Sequence, residues 1–234
     1  MEIILKKKPK SPILVQGFPG VGLVGTIATE FLLDHLDVEQ IGKVNLEEMQ
    51  AVVAVHNNKL VDPFGVFYNK KYNIVIVHAI TATQGLEWKI ADFVVEIAKK
   101  LQVKEIVSVE GVGGQEEKSN LFYFSENKKK SDKLNNLKIE PLKEGIIMGV
   151  TGALLLKADH IPITCFFAET HSNLPDSKAA AKVIEGLDKY LGLKVNYKPL
   201  LAQAEDFEKK LQGIMKKGVE TAELSEKKRM SYVG

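Results

Sequence analysis

The chain has 234 residues, of which 45% are hydrophobic and 26% are charged. That balance excludes a disordered chain, which would bury too little apolar surface to offset the entropy lost on ordering. A formal net charge of +2 gives no support to nucleic-acid binding, and a single cysteine excludes an internal disulfide framework and a cysteine-rich zinc site.

Strand and helix patterns alternate along the first half of the chain. Short apolar runs closed by turn residues predict strands, and apolar residues at helical spacing predict helices. The predicted elements are a strand at Ser11–Gly17, a helix at Val21–Leu36, strands at Val38–Leu46 and Ala51–His56, a hairpin of Leu60–Val61 and Gly65–Tyr68 around Asp62-Pro63, a strand at Asn73–Ala79 and a helix at Leu86–Leu101.

The alternation continues in the second half, with one polar interruption. The predicted elements are a strand at Glu105–Glu110, a polar excursion from Gly111 to Lys138, a strand at Gly145–Met148, a helix beginning near Thr151, a strand at Ile161–Ala168 and a helix at Asp176–Leu191. Such alternation predicts a mostly parallel central sheet with helices on both sides. We therefore expect one three-layer α/β/α domain over residues 1–198.

A mixed-charge helical pattern begins at Lys198-Pro199. Its apolar residues recur at spacings of four and three and form a narrow stripe: Leu200, Ala204, Phe207, Leu211 and Ile214. A helix of about two heptads is marginal alone, so the stripe should be buried on the body or on another subunit. We predict an amphipathic helix over residues 199–219, a tail over 220–234, and a homo-oligomer whose interface these helices help to line.

Targeting and metal-binding patterns are weak. No apolar segment follows the lysine-rich start, and the longest apolar run, Gly145 to Leu156, is shorter than the roughly 20 residues of a membrane span. We therefore expect a cytoplasmic protein without membrane contact. The histidines at 35, 56, 78, 160 and 171 include no i, i+4 pair, so no metal site is expected.

The most conspicuous motif is the loop Gly17–Gly25, between the first predicted strand and helix. Its residues Gly20, Gly22 and Gly25 match the dinucleotide fingerprint, in which glycines let a pyrophosphate approach a helix N-terminus. Two features depart from the fingerprint. Phe18-Pro19 lie as additional residues between the strand and the fingerprint, and no acidic residue clearly occupies the fingerprint's position at the end of the second strand. The alternative is a tight turn whose glycines permit close packing of helix on strand.

Several other residues are candidates for chemistry. Glu110 and Glu169 each lie at the end of a buried strand and are either an acid/base pair or partners of a helix N-terminus. Glu87 begins a helix, where the dipole favours a carboxylate. Cys165 lies in an apolar strand, as core cysteines do, and Lys128–Lys130 is interpreted as a solvated loop. No catalytic residue is predicted.

The chain ends on an apolar and aromatic segment, Met230–Gly234, after a charged stretch. This end either packs back onto its own domain or a sister subunit, or inserts into a pocket on a partner. In the second case the partner-binding residues are Tyr232, Val233 and Gly234: the aromatic ring fills the pocket, and the free carboxylate pairs with a lysine.

Taken together, these segments resemble the PAC2, or proteasome assembly chaperone, family. The matching pieces are the strand and loop Ile13–Gly25, which includes Gly17, Phe18, Pro19, Gly20, Gly22 and Gly25; the stretch Gly149–Leu155; and Ala168-Glu169-Thr170 followed by Pro175-Asp176 and the alanines after it. The resemblance covers roughly residues 10 to 195.

The resemblance implies a sandwich like that of purine nucleoside phosphorylases, without their catalytic residues or a cofactor. It implies an ATP-independent chaperone for proteasome subunits, or an archaeal homologue that forms homo-oligomers. Some members end in a hydrophobic-tyrosine-any motif that docks on the proteasome; here Tyr232 is third from the end and Val233 takes the tyrosine position. We therefore expect a scaffold or adaptor that binds proteasome subunits or another protein, with a nucleotide- or nucleoside-binding enzyme using the Gly17–Gly25 loop as the alternative.

Overall fold

The computed structural model describes residues 2–48, 53–56, 58–80, 84–114, 120–158, 160–170 and 174–198. The strands are β1 Glu2–Leu5, β2 Ile13–Gly17, β3 Glu39–Asn45, β4 Ala54–His56, β5 Lys59–Val61, β6 Phe64–Asn69, β7 Ile74–Ala79, β8 Glu105–Gly113, β9 Leu121–Phe124, β10 Glu140–Pro141 and β11 Ile163–Thr170. The helices are α1 Val24–His35, α2 Glu87–Leu101, α3 Lys128–Asn136, α4 Gly149–Lys157 and α5 Ser177–Leu191, and a short 3-10 turn, Val21–Leu23, precedes α1.

The central sheet has nine strands in the order β1-β3-β6-β7-β2-β8-β11-β9-β10. Its centre, β7-β2-β8-β11, is parallel, and Val15 of β2 pairs with Ile76 on one side and Val107 on the other. These strands are almost continuously apolar, as expected where helices cover both faces. Antiparallel strands extend the sheet on both sides, so the sheet is mixed beyond its parallel centre.

Helices cover the two faces of the sheet and enclose two cores. Val15 and Val107 point into the core with α1 and α5, whereas their neighbours Leu14 and Ile106 point into the core with α2 and α4. Successive side chains of a strand face opposite sides, so each central strand contributes to both cores. The predicted three-layer α/β/α sandwich is confirmed.

The predicted hairpin around Asp62-Pro63 is wrong. β5 pairs instead with β4, in a separate two-stranded sheet, with Val55 opposite Leu60. The strand that follows, β6, joins the large sheet between β3 and β7. Asp62-Pro63 therefore connects two sheets, and the hairpin turn lies one strand earlier.

Two expectations for the second half also need correction. The polar excursion Gly111 to Lys138 contains β9 and α3, because β9 adds an antiparallel strand beside β11. The predicted strand Gly145–Met148 pairs with no described strand; Ile146 and Met148 are 86% and 70% exposed, and α4 begins directly afterwards at Gly149. The apolar residues of this segment lie on the surface rather than in a sheet.

Two further expectations bear on the chain's surroundings and its end. No helix within the described residues is long and apolar enough to cross a lipid bilayer. The predicted helix 199–219 and the tail 220–234 lie outside the described residues, so those boundaries remain predictions.

Candidate functional site

The motif residues from distant parts of the sequence meet where the central strands end. The Gly17–Gly25 loop follows β2, Glu110 lies in β8, and Thr170 ends β11; these three strands are neighbours in the sheet. Parallel strands place their carboxyl ends at one edge, where α/β proteins generally place function. We call the following residues the strand-end cluster: Gly20, Gly22, Glu110, Gly149, Thr170 and Asp176.

The glycines of the Gly17–Gly25 loop pack against protein atoms. Gly22 has φ +62, and a Cβ there would lie 2.7 Å from Thr170 Oγ1; a Cβ on Gly25 would lie 2.5 Å from the carbonyl oxygen of Val109. Both distances are shorter than real Cβ contacts. The glycines therefore hold the 3-10 turn and α1 close to β8 and β11, which favours the packing interpretation over a phosphate-binding loop.

Phe18 and Asp176 connect the Gly17–Gly25 loop to helices on opposite faces of the sheet. Phe18 is buried, with its ring edge-on to Phe93 of α2 at 6.0 Å between centroids. The backbone N–H of Asp176 donates to Gly22 O at 2.9 Å, and its side chain caps α5 by accepting from Ala179 N at 2.9 Å. Asp176 thus connects the glycine loop to α5.

A chain of buried polar side chains joins the sheet to α4. Gln16 Nε2 donates to Ser108 Oγ, and Ser108 Oγ lies 2.7 Å from Thr151 Oγ1. All three residues are at most 2% exposed. Gln16 Oε1 has no hydrogen-bond partner within the described residues. Sequence reasoning missed this chain because Gln16, Ser108 and Thr151 come from β2, β8 and α4, which only the tertiary structure brings together.

Glu110 lies beside this chain, between the glycine loop and α4. Its Oε1 lies 3.3 Å from the position of a Cβ on Gly20 and 3.4 Å from that on Gly149. Among the described residues its buried Oε2 has no hydrogen-bond partner. Burial raises the pKa of Glu110 to about 7, and the Thr151 side chain opposes part of that rise.

The structure gives Glu110 and Glu169 different surroundings. On β8 and β11, Glu110 is opposite Phe167, whereas Glu169 is opposite Val112, two positions further along. Glu169 Oε2 accepts from Asn120 Nδ2 at 2.8 Å, in the segment leading into β9. The two carboxylates therefore have different partners, and Glu169 ties a loop to its strand.

A second polar arrangement, also missed from sequence, resembles a catalytic triad in connectivity. His78 Nδ1 lies 2.8 Å from Thr29 Oγ1, and His78 Nε2 lies 2.9 Å from Glu30 Oε2. Thr29, however, is a fully buried residue of α1, and its hydroxyl also lies 2.9 Å from Gly25 O. A hydroxyl with no exposed surface cannot reach a substrate, so the arrangement joins α1 to β7.

The basic run Lys128–Lys130 begins α3, so the interpretation as a loop is wrong. Lys130 pairs with Glu105, which is 2% exposed and accepts from Tyr190 OH at 2.9 Å and from Thr164 Oγ1 at 2.5 Å. Burial, then the charge of Glu105, raises the pKa of Tyr190. This buried carboxylate anchors α3 and α5 at the opposite, amino-terminal edge of the strands.

The remaining chemical candidates, Cys165 and Glu87, have surroundings typical of residues that stabilise the fold. Cys165 is fully buried, and burial raises the pKa of its thiol above the ordinary range, with the charge of Glu110 adding to the rise. Glu87 Oε1 accepts from Gly85 N at 3.0 Å at the start of α2. No cluster of His, Cys, Asp or Glu suited to a metal ion occurs within the described residues.

The predicted interface and tail residues lie outside the described residues, as does His171. They are the stripe residues Leu200, Ala204, Phe207, Leu211 and Ile214 and the terminal residues Tyr232, Val233 and Gly234.

The architecture and its strand-end cluster define an α/β/α sandwich whose glycine loop serves packing. The family model described as PAC2 family matches residues 14–215, and this chain belongs to the PAC2 family. Among curated proteins, an uncharacterized protein of Methanocaldococcus jannaschii is 26% identical over 227 residues, which covers 96% of this chain and 94% of that protein.

Solved structures agree with this assignment. PbaA of Pyrococcus furiosus, an archaeal homologue of proteasome-assembly chaperone, superimposes with a TM-score of 0.84 at 30% identity, over 94% of this chain and 99% of PbaA. PbaB of the same organism, an archaeal proteasome activator, has a TM-score of 0.75 at 20% identity, over 91% of this chain and 98% of PbaB. At that identity the likeness to PbaB shows the fold alone.

Proposed function

We propose that this protein is a non-enzymatic assembly-chaperone-like adaptor that forms a homo-oligomer and binds proteasome subunits. The observation that carries the proposal is the similarity to PbaA, because it extends over nearly the whole of both chains at 30% identity. The similarity to PbaA therefore extends over the whole α/β/α sandwich and is not confined to one motif. The partner named for PbaA's homologues is therefore the first one to test.

The strand-end cluster supports a protein-binding role over an enzymatic one. Gly22 faces the side chain of Thr170 rather than an open space, and Glu169 is held by Asn120. Within the described residues no exposed nucleophile lies beside a base, as acyl- or phosphoryl-transfer chemistry would require. The recognition surface is then expected on the outside of the sandwich and on the C-terminal tail.

Binding through the tail can be tested by a pull-down with purified proteasome α-subunits. We expect the full chain to retain α-subunits and a chain lacking Met230–Gly234 to retain less, because the apolar end and its carboxylate are lost. Val233→Tyr moves a tyrosine to the second position from the end and should increase retention. Ser231→Ala, a small change in the same segment that keeps Tyr232, Val233 and the chain end, serves as the control.

The outcomes separate the parts of the proposal. Loss with the deletion and gain with Val233→Tyr support docking through the tail. Equal retention by all chains places binding on the body and contradicts tail docking. If no chain retains α-subunits, the proteasome is not the partner.

A further inference from the structure

An apolar groove lies on the outer surface between the start of α2 and α4. It has a volume of about 430 Å³. Its walls carry large apolar side chains that are unusually exposed: Trp88 is 53%, Met148 70% and Leu156 71% exposed. Exposed apolar residues grouped in this way mark an interaction surface, whereas scattered single residues do not.

The shape of the groove suits a helix. Gly149, Gly152 and Ala153 follow one another at helical spacing along α4 and line the groove together. Small residues between the larger Trp88 and Leu156 leave a channel into which the ridge of another helix can pack. Among the described residues, Glu87 is the one charged residue that lines this groove, and its Oε1 accepts from Gly85 N at 3.0 Å, so the floor of the groove is apolar.

The same chain contains a segment that needs such a surface. The predicted helix bears a stripe from Leu200 to Ile214, about 21 Å long at 1.5 Å per residue. A helix of that length with so narrow an apolar stripe is not stable in water alone. The stripe therefore needs an apolar groove, and the α2–α4 groove has the matching chemistry.

The point at which the segment leaves the body indicates which copy's groove it reaches. Val195 and Tyr197, just before it, pack against the core that contains α1 and α5. The groove lies on the other side of the sheet, formed by α2 and α4. A helix starting at Leu200 would have to pass around the nine-stranded sheet to reach its own groove, whereas a neighbouring copy can present its groove directly.

We infer that the α2–α4 groove of one copy binds the Leu200–Ile214 segment of a neighbouring copy. The inference rests on the homo-oligomer part of the proposed function and names the surface that holds the oligomer together. Because groove and stripe are different surfaces, the contact is heterologous: each copy gives one stripe and receives another. Such contacts close into a ring when the rotation between copies allows it.

Two full-length variants test the two halves of the contact. Leu156→Glu places a charge in the groove, and Leu211→Glu places one in the stripe. Leu174→Glu, at a leucine that is 64% exposed and does not line the groove, and Gln212→Glu, off the stripe, are the matched controls. We expect multimers for the wild type and both controls, and the 25.9 kDa monomer for each variant, by light scattering of chromatographed protein.

A mixture of the two variants gives the sharpest result. Leu156→Glu retains an intact stripe and Leu211→Glu an intact groove, so one productive contact per pair remains. The mixture should form a one-to-one dimer, about twice the monomer mass, although neither variant associates alone. Trp88, the only tryptophan, reports the same event, since its emission should shift to shorter wavelength when a Leu211→Glu chain receives a stripe.

Three outcomes would overturn the inference. If both variants remain multimers of wild-type mass, the oligomer uses another surface, and the homo-oligomer part of the proposed function stands. If the mixture stays monomeric while circular dichroism shows both variants folded, groove and stripe are not partners. If the wild type itself is a monomer, both the inference and the homo-oligomer are wrong, whatever the pull-down shows.

Discussion

Glu110 has an environment that is unusual for a carboxylate. Its carboxyl is enclosed by the strand-end cluster, and its Oε2 has no hydrogen-bond partner among the described residues. Burying a charged carboxylate without a cation costs free energy, which is why the pKa rises to about 7. The cost depends on pH, and it can be measured.

Glu110→Gln should change how stability depends on pH. With a folded pKa of about 7 and an unfolded value of 4.5, the folded state binds more protons between those values. The free energy of unfolding of the wild type should therefore fall as the pH rises from 4.5 to 7, by about 3 kcal/mol in total. Glutamine cannot ionise, so the variant should be the more stable protein at pH 8.

Urea denaturation at pH 5 and pH 8 measures this effect. Glu169→Gln, which removes the carboxyl that accepts from Asn120 at the same edge of the sheet, is the matched control variant. Equal pH dependence in wild type and Glu110→Gln would mean that Glu110 is solvated or paired in solution.

Among the elements, α5 shows how a predicted boundary acquires a tertiary role. The sequence places Asp176 at the start of a helix, and the structure confirms it as the N-cap of α5. The same residue's backbone donates to Gly22 O, so the cap also fixes the position of α5 relative to the glycine loop. Local sequence indicates the cap, but not the contact with a residue more than 150 positions away.

Asp176→Ala should lower the free energy of unfolding by about 1 kcal/mol, because the Ala179 N–H loses its acceptor. Asp176→Asn retains a capping oxygen and should lose much less. Denaturant titration of the two variants beside wild type measures the difference. Equal losses for alanine and asparagine would show that the charge of Asp176, rather than its hydrogen bond, stabilises the helix.

The elements that the sequence analysis misassigned have a common physical cause. An apolar run is typical both of a buried strand and of an exposed surface segment, and Gly145–Met148 is exposed, with Ile146 and Met148 on the surface. In the same way, Asp62-Pro63 has turn chemistry, but β5 and β6 pair with different partners. Strand pairing is a long-range property, so neighbouring residues do not determine it.

At the scale of the whole molecule, the central strands unite the two cores. Phe93 lies in the core with α2 and α4, packed edge-on against Phe64 at 5.4 Å between ring centroids. β2 and β8 contribute alternate side chains to that core and to the one on the opposite face. The two sides of the sandwich should therefore not unfold separately.

Phe93→Ala should cost about 3–5 kcal/mol through loss of buried ring and creation of a cavity. We expect a single denaturation transition at lower denaturant concentration, with Trp88 fluorescence and far-ultraviolet circular dichroism coinciding. Phe122→Ala, at a half-buried phenylalanine on β9, should shift the midpoint less. Separate transitions for the two probes would show that the cores are independent units.

The sequence by itself determined the class of fold, the parallel centre of the sheet and the PAC2 resemblance. These follow from local periodicity and from short motifs, which depend on residues near one another in the chain. Only the tertiary structure decided that the fingerprint glycines pack against Thr170 and Val109, that Glu110 Oε2 is buried with no hydrogen-bond partner among the described residues, and that an apolar groove faces outward between α2 and α4. Each of these depends on which distant elements become neighbours, and the hydrophobic pattern of a single segment does not specify its neighbour.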